Sequence, residues 1–189
     1  MERCAWLGDD PLMMTYHDDE WGVPLHDDRR HFEFIVLDGF QAGLSWRTVL
    51  NKRENFRRAF DGFDPQKIVR YGETERARLL ADAGIIRNRA KVDATIGNAR
   101  AFLDLQQREG GFDRWIWQFT GGGTIHNAWS ELTDIPAKTP EAEARSKALK
   151  AEGFKFVGPT ICYAYMQAAG MVNDHVTRCF RWSELGGGG

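Results

Sequence analysis

Gly84-Ile85-Ile86-Arg87-Asn88-Arg89-Ala90-Lys91 is the stretch on which the fold turns. Gly84 ends a helix expected over residues 74–83, and the chain passes within a few residues into a long helix whose apolar positions Val92, Ile96, Ala99 and Leu103 share one face. Two helices joined this tightly form a helix-hairpin-helix. Such a turn aims backbone N–H groups, backed by a helix dipole, at an anion, and Arg87, Arg89 and Lys91 place positive charge beside it. An ordinary connection between helices has the same outline, so the pattern admits both readings.

Outward from the hairpin the spacing stays helical. On the N-terminal side Phe32, Ile35, Val36 and Gly39 recur at i, i+3, i+4 and i+7, which puts Asp38 near the end of a helix starting at Arg29. After the turn Gly39-Phe40-Gln41-Ala42-Gly43-Leu44, Ser45 is the expected cap of a helix carrying Trp46, Val49, Leu50 and Phe56 on one side. Asp64-Pro65 starts another. On the C-terminal side Gly110-Gly111 close the long helix, and Phe112, Trp115, Ile116 and Phe119 mark the next. Residues 120–139 read as a connection longer than a compact domain usually carries. Thr139-Pro140 and Pro159 open two further helices, ending at Gly153 and Gly170, before a last one bearing His175 and Cys179. Residues 1–28, broken by Pro11, Gly22 and Pro24, read as an irregular aromatic-rich arm. With no alternating strand series, repeat or composition break, the expectation is an all-α single domain over 1–185, with Gly186–Gly189 a flexible tail.

A chain of 189 residues with 42% hydrophobic content can build a full core without staples. Its seven tryptophans and twelve phenylalanines exceed what packing alone asks, so some are candidates for a pocket wall. A formal charge of −2 argues against a protein that coats nucleic acid indiscriminately, which needs many cations on phosphates. Bases nevertheless gather at Arg47 to Arg58, at the hairpin, and at Lys147, Lys150 and Lys155, either as one basic face or as separate solvated helix surfaces. The N-terminus lacks the apolar core of a signal peptide, and no stretch approaches the roughly 18 apolar residues of a membrane span. A cytoplasmic monomer with reduced thiols is expected, with Cys162 a buried free thiol.

His175 and Cys179 stand four apart, one turn along a helix face if that segment is helical. Cys4 and His17, the first cysteine and first histidine, would complete a Cys2His2 set and bring the two ends of the chain together around a zinc ion. Four residues that never share an ion would look the same in sequence.

Cys4-Ala5-Trp6, the run from Tyr16 to Pro24, Gln41-Ala42-Gly43-Leu44-Ser45-Trp46, Lys52-Arg53-Glu54-Asn55, Gly84 to Arg89, Phe154-Lys155-Phe156-Val157-Gly158 and Asn173-Asp174-His175 resemble the 3-methyladenine DNA glycosylase I family of bacteria, across nearly the whole chain. The resemblance implies a helix-hairpin-helix glycosylase fold of two helical lobes with the base pocket between them, and zinc ligands at Cys4, His17, His175 and Cys179, joining the terminal segments. It implies double-stranded DNA with alkylated bases as partner, and excision of 3-methyladenine to leave an abasic site. A flipped base needs a stacking pocket, for which Trp6, Tyr16, Trp21 and Trp46 are the candidates. A cationic base favours an aromatic face and a nearby carboxylate, the place of Asp38 in the catalytic pocket. Leu44 is either a wedge for the gap left by the base or a core residue.

Two positions depart from the family. Leu37-Asp38-Gly39 stands where a glutamate is usual, shortening the reach by roughly 1.5 Å on ordinary carbon geometry, and Met13 replaces a tyrosine common near the pocket. Asp38 could instead serve a local backbone hydrogen bond at its helix end. Both departures keep a rival open, a zinc-stabilised protein that binds lesions without turnover.

Overall fold

The computed structural model describes residues 1–188. Helix α2 (Asp28–Gln41) is started by Asp27, whose carboxylate accepts from the Arg30 amide at 2.8 Å, and every residue from His31 to Phe40 is buried. A helix buried on all sides must be surrounded by others. Those packed on it include α3 (Trp46–Asn51), α7 (Arg89–Glu109), α8 (Phe112–Trp117) and α10 (Pro159–Ala168). Beyond them, α5 (Pro65–Ile68) and α6 (Glu73–Ala81) lie on α7, and α9 (Pro140–Ala151) lies on α10. Aromatic rings fill the joints, as in the Phe32–Phe102, Phe40–Phe56 and Phe102–Phe112 pairs at 5.1, 4.8 and 4.4 Å. Among the described residues the fold is all-α, apart from one pair of two-residue strands.

The hairpin forms as read. Asn88 caps α7 through the Lys91 amide at 3.1 Å. The carbonyls of Ala83 and Gly84, left without helical partners, accept from Lys52 Nζ at 3.3 and 3.4 Å, and Asn55 Nδ2 reaches Gly84 at 3.1 Å. Of the apolar face expected on α7, Val92, Ile96 and Ala99 are buried, whereas Leu103 is half-buried and Phe102 and Leu105 complete the face in its place.

Four local expectations are corrected. The N-terminal arm is not irregular: it holds a short 3-10 turn at Ala5–Leu7 and helix α1 (Pro11–Asp19), which Asp10 caps by accepting from the Leu12 and Met13 amides. Pro11 opens this helix rather than breaking it, because the first helical position needs no N–H donor. The helix after Ser45 is two, α3 and α4 (Arg53–Ala59), separated by Lys52 at φ −101° and ψ 0°. His175 and Cys179 do not lie on a helix. Val172–Asn173 pair in parallel with Ile125–His126, the chain turns, and only after Cys179, itself extended at φ −72° and ψ 133°, does α11 (Phe180–Glu184) begin. Of the glycine run, Gly186 to Gly188 fold back on Trp182, with the Gly187 amide donating to its carbonyl at 2.8 Å, and Gly189 is outside the described residues. Among the described residues, no helix is long and apolar enough to cross a membrane.

Candidate active site and metal centre

A cavity of about 410 Å³ lies where α1, the last turn of α2, the start of α3, α10 and the 120–139 segment converge. Its size is that of a small-molecule site, typically about 300 to 1,000 Å³. Trp6, Tyr16, Trp21, Asp38 and Trp46 all line it. Tyr16 and Trp46 lean together with ring centroids 5.2 Å apart, and Trp6 meets Trp21 edge to face at 5.1 Å.

Asp38 is 2% exposed, and its Oδ2 has no hydrogen-bond partner among the described residues. The same is true of the indole N–H groups of Trp6 and Trp46. One acceptor and two donors therefore stand desolvated and unmatched on residues that line one cavity, a costly arrangement unless a ligand supplies the complement. The local capping role for Asp38 is absent. Burial pushes its carboxyl up to about 8, against the downward pull of the Arg145 and Arg53 charges. Arg145 is itself buried, stacked 3.6 Å over the Tyr165 ring and donating to the Cys162 carbonyl at 2.7 Å. Burial, then the Asp38 charge, holds the Tyr16 phenol well above its ordinary range and so neutral.

Other expected residues are placed differently. Met13 is buried, but it is not part of the cavity lining. Leu44 follows Gly43, at φ 80°, on the tight turn after α2 and is 43% exposed, which removes the core reading. Arg87 is exposed, and Arg89 pairs with Glu73 at 3.3 Å while remaining exposed. Lys91 is a correction: it is buried, and its ammonium donates to the Phe40 and Ala42 carbonyls at 2.7 Å each, so it ends α2 instead of facing a phosphate. Residues that sequence reading missed are Gln41 and the α10 wall of Thr160, Tyr163, Ala164, Gln167 and Ala168. The signal was there in the polar residues spaced three and four apart along an otherwise apolar helix.

Cys4, His17, His175 and Cys179 are all buried, and one ligand atom from each lies within 4.8 Å of the others. His17 Nδ1 donates to Asp18 at 2.7 Å and His175 Nε2 donates to the Trp21 carbonyl at 3.0 Å. The inward atoms, His17 Nε2 and His175 Nδ1, are then lone pairs facing each other at 3.2 Å, with Cys179 Sγ 3.4 and 3.5 Å from them. The Cys4 amide, at a long 3.4 Å, and the Cys179 thiol, a weak donor at 3.4 Å, are what offer His17 Nε2 a proton. Lone pairs and sulfurs crowded in a dry space call for a cation, and outer carboxylate and carbonyl partners that orient the imidazoles are what metal sites use. Trp6 and Trp21 pack against this cluster as well as lining the cavity, with Trp21 4.6 Å from the His175 ring and Trp6 5.5 Å from the His17 ring. Cys162 is a buried free thiol, as expected.

An aromatic cavity holding a buried carboxylate, set in a helix-hairpin-helix scaffold, can take up a flat ring that has been turned out of a DNA stack. The comparisons agree. A crystal structure of 3-methyladenine DNA glycosylase I superposes with a TM-score of 0.93 at 52% identity, over 95% of this chain and 98% of that one. A tyrosine-to-phenylalanine variant of 3-methyladenine DNA glycosylase I, solved in complex with 3-methyladenine, superposes with a TM-score of 0.92 at 32% identity, over 95% and 97%. DNA-3-methyladenine glycosylase 1 of Escherichia coli strain K12 is 52% identical over 179 residues, 95% of this chain and 96% of its own. Residues 6–182 match the methyladenine glycosylase family, and the chain belongs to it.

Proposed function

We propose that this chain excises 3-methyladenine from alkylated double-stranded DNA, hydrolysing the N-glycosidic bond and leaving an abasic site. The observation that carries the reading is the trio of unmatched buried polar atoms, Asp38 Oδ2, Trp6 Nε1 and Trp46 Nε1, around one aromatic cavity. An extruded base stacks between rings and is recognised at its edges. The faces of Trp46 and Tyr16 take the ring, the indole N–H groups meet its acceptors, and the Asp38 carboxylate faces its positive charge. A neutral adenine gains much less from that carboxylate than a cationic base does. Methylation also makes the base a good leaving group, so the chain need only hold the sugar carbon open to water as an oxocarbenium-like transition state forms. No lysine lines the cavity among the described residues, which suits hydrolysis without a Schiff base.

The exposed Leu44, on the turn three residues beyond the cavity residue Gln41, suits a wedge in the vacated stack, and Arg87 and Arg89 suit phosphate contacts at the hairpin. Cys4, His17, His175 and Cys179 would hold zinc with all four positions filled by protein, so the metal fastens the termini and supplies no reacting group. We place the enzyme in the cytoplasm as a monomer, folded as one domain over residues 1–185. The binding-only alternative loses both of its supports, since Asp38 lines the cavity despite its shorter side chain and Met13 lies in the core. Incubation with methylated DNA, followed by chromatography of the released bases, tests the activity: 3-methyladenine is expected in the supernatant, and its absence overturns the reading.

A further inference from the structure

One wall of the cavity is made of loop. Leu132, Ile135, Pro136 and Ala137 line it, yet between Gly121 and Thr139 the chain has only the two-residue strand Ile125–His126 and a 3-10 turn at Leu132–Asp134. Such a segment keeps its shape only if something outside it does the holding. Residues 171–178 supply that hold. The Ile125 amide donates to the Met171 carbonyl at 2.9 Å, the Asn127 amide to Asn173 at 3.2 Å, and the Thr177 amide to Trp129 at 2.9 Å. Arg178 donates to the Ser130 carbonyl at 2.9 Å and pairs with Glu131.

At the centre is Asp174, 1% exposed. Its Oδ1 accepts from Asn127 Nδ2 at 2.7 Å and Trp129 Nε1 at 2.8 Å, both on the loop. Its Oδ2 accepts from the Tyr163 hydroxyl at 2.5 Å and Gln167 Nε2 at 2.8 Å, both on α10 and both lining the cavity.

We propose that Asp174 is the positioning residue of the base pocket: it locks the 127–137 loop and the Tyr163–Gln167 face of α10 into one wall, and so sets which base the cavity accepts. A carboxylate has about four acceptor sites, and all four are filled here by neutral donors that cannot turn elsewhere without losing a charge-assisted bond. The polar ends of Tyr163 and Gln167 are thereby committed to Asp174, while Asp38 and the two free indole donors keep no partner of their own. An asparagine in place of Asp174 accepts at one oxygen only, so two of the four donors are stranded, and one side of the wall comes loose. The pocket part of this inference rests on the proposed excision of 3-methyladenine; the loop part does not.

Hydrogen exchange and free-base binding test it together on the full-length chain, with metal content measured for each protein. In Asp174→Asn, amides of 127–137 should exchange at least about tenfold faster while those of 31–40 keep their rates, the pattern of local rather than global opening. Affinity for free 3-methyladenine should fall about tenfold, the scale of one lost charge-assisted bond, and KM on methylated DNA should rise more than kcat falls. Should that variant fail to fold or lose its metal, Trp129→Phe combined with Asn127→Ala removes only the loop-side donors, and it should give the same selective exchange. Unchanged exchange at 127–137, or unchanged base affinity in a variant whose loop has loosened, overturns the proposal. If the wild-type chain binds and releases no 3-methyladenine, the proposed function fails instead, and the exchange result still judges the loop.

Discussion

The ammonium of Lys91 donates to the carbonyl of Phe40 at 2.7 Å, so the first turn of the hairpin helix closes the end of the helix that carries Asp38. Burial lowers the Lys91 pKa, and no phosphate is needed to explain a cation at this position. Lys91→Ala strands the Phe40 and Ala42 carbonyls and should cost about 1.5 to 3 kcal/mol, as for hydrogen bonds to a charged group. Denaturant unfolding should show that loss, and the salt dependence of DNA binding in the folded variant should stay as in the wild type.

Arg87 and Arg89 are the contrasting pair, since both are exposed at the hairpin. Replacing both by alanine should weaken DNA binding evenly across sequences and flatten the plot of log K against log salt by about 0.9 for each lost phosphate contact. Stability should barely move. An unaltered salt slope removes the hairpin from the DNA interface.

Asp38→Asn keeps the shape of the cavity but cannot ionise against a cationic base as the carboxyl can, and excision should fall by roughly 1 to 3 kcal/mol of transition-state stabilisation. Asp38→Glu should keep or raise the rate. Stability should respond to pH with a definite sign. The folded pKa of Asp38, about 8, lies above the ordinary aspartate value of 3.8, so the native state holds a proton that the unfolded state has released. That contribution is fully present below the ordinary range and is lost as pH rises through about 8. Relative to Asp38→Asn, the wild type should therefore lose melting temperature between about pH 4 and about pH 8. Parallel pH profiles for the two proteins would mean that Asp38 is ionised in the empty pocket.

Elemental analysis of freshly purified protein should find one zinc per chain on the Cys4, His17, His175 and Cys179 cluster. Chelation, or Cys179→Ser, should speed hydrogen exchange in residues 2–18 and 174–184 together, because the cluster joins those two segments. Loosening of one segment alone would show that the ends are held by packing.

Leu44→Ala removes an exposed side chain, so melting should change little. Excision from duplex DNA should nevertheless drop, while binding of free 3-methyladenine stays as in the wild type. A rate kept on single-stranded substrate while the duplex rate falls would support the wedge; an undiminished duplex rate would end it.

The sequence by itself determined most of the helices and the hairpin, because apolar spacing, Ser45 and Asp64-Pro65 are local signals that act within a turn or two of chain. It also named the four cluster residues, through residue types whose chemistry is scarce, and, through the family resemblance, most of the aromatic wall. Only the tertiary structure decided what each charge faces. Arg87 and Lys91 stand four apart on one basic stretch, yet Arg87 is exposed while Lys91 is buried against α2, a difference set by a helix some fifty residues away in the chain. Likewise His175 and Cys179 meet their partners from a turn, since strand pairing with Ile125–His126 took the place of the helix that their spacing suggested. Asp38 is indistinguishable in sequence from a helix-end cap. Its unmatched oxygen and raised pKa come from burial among α1, α3 and α10, and burial is a property of how helices pack rather than of any one of them.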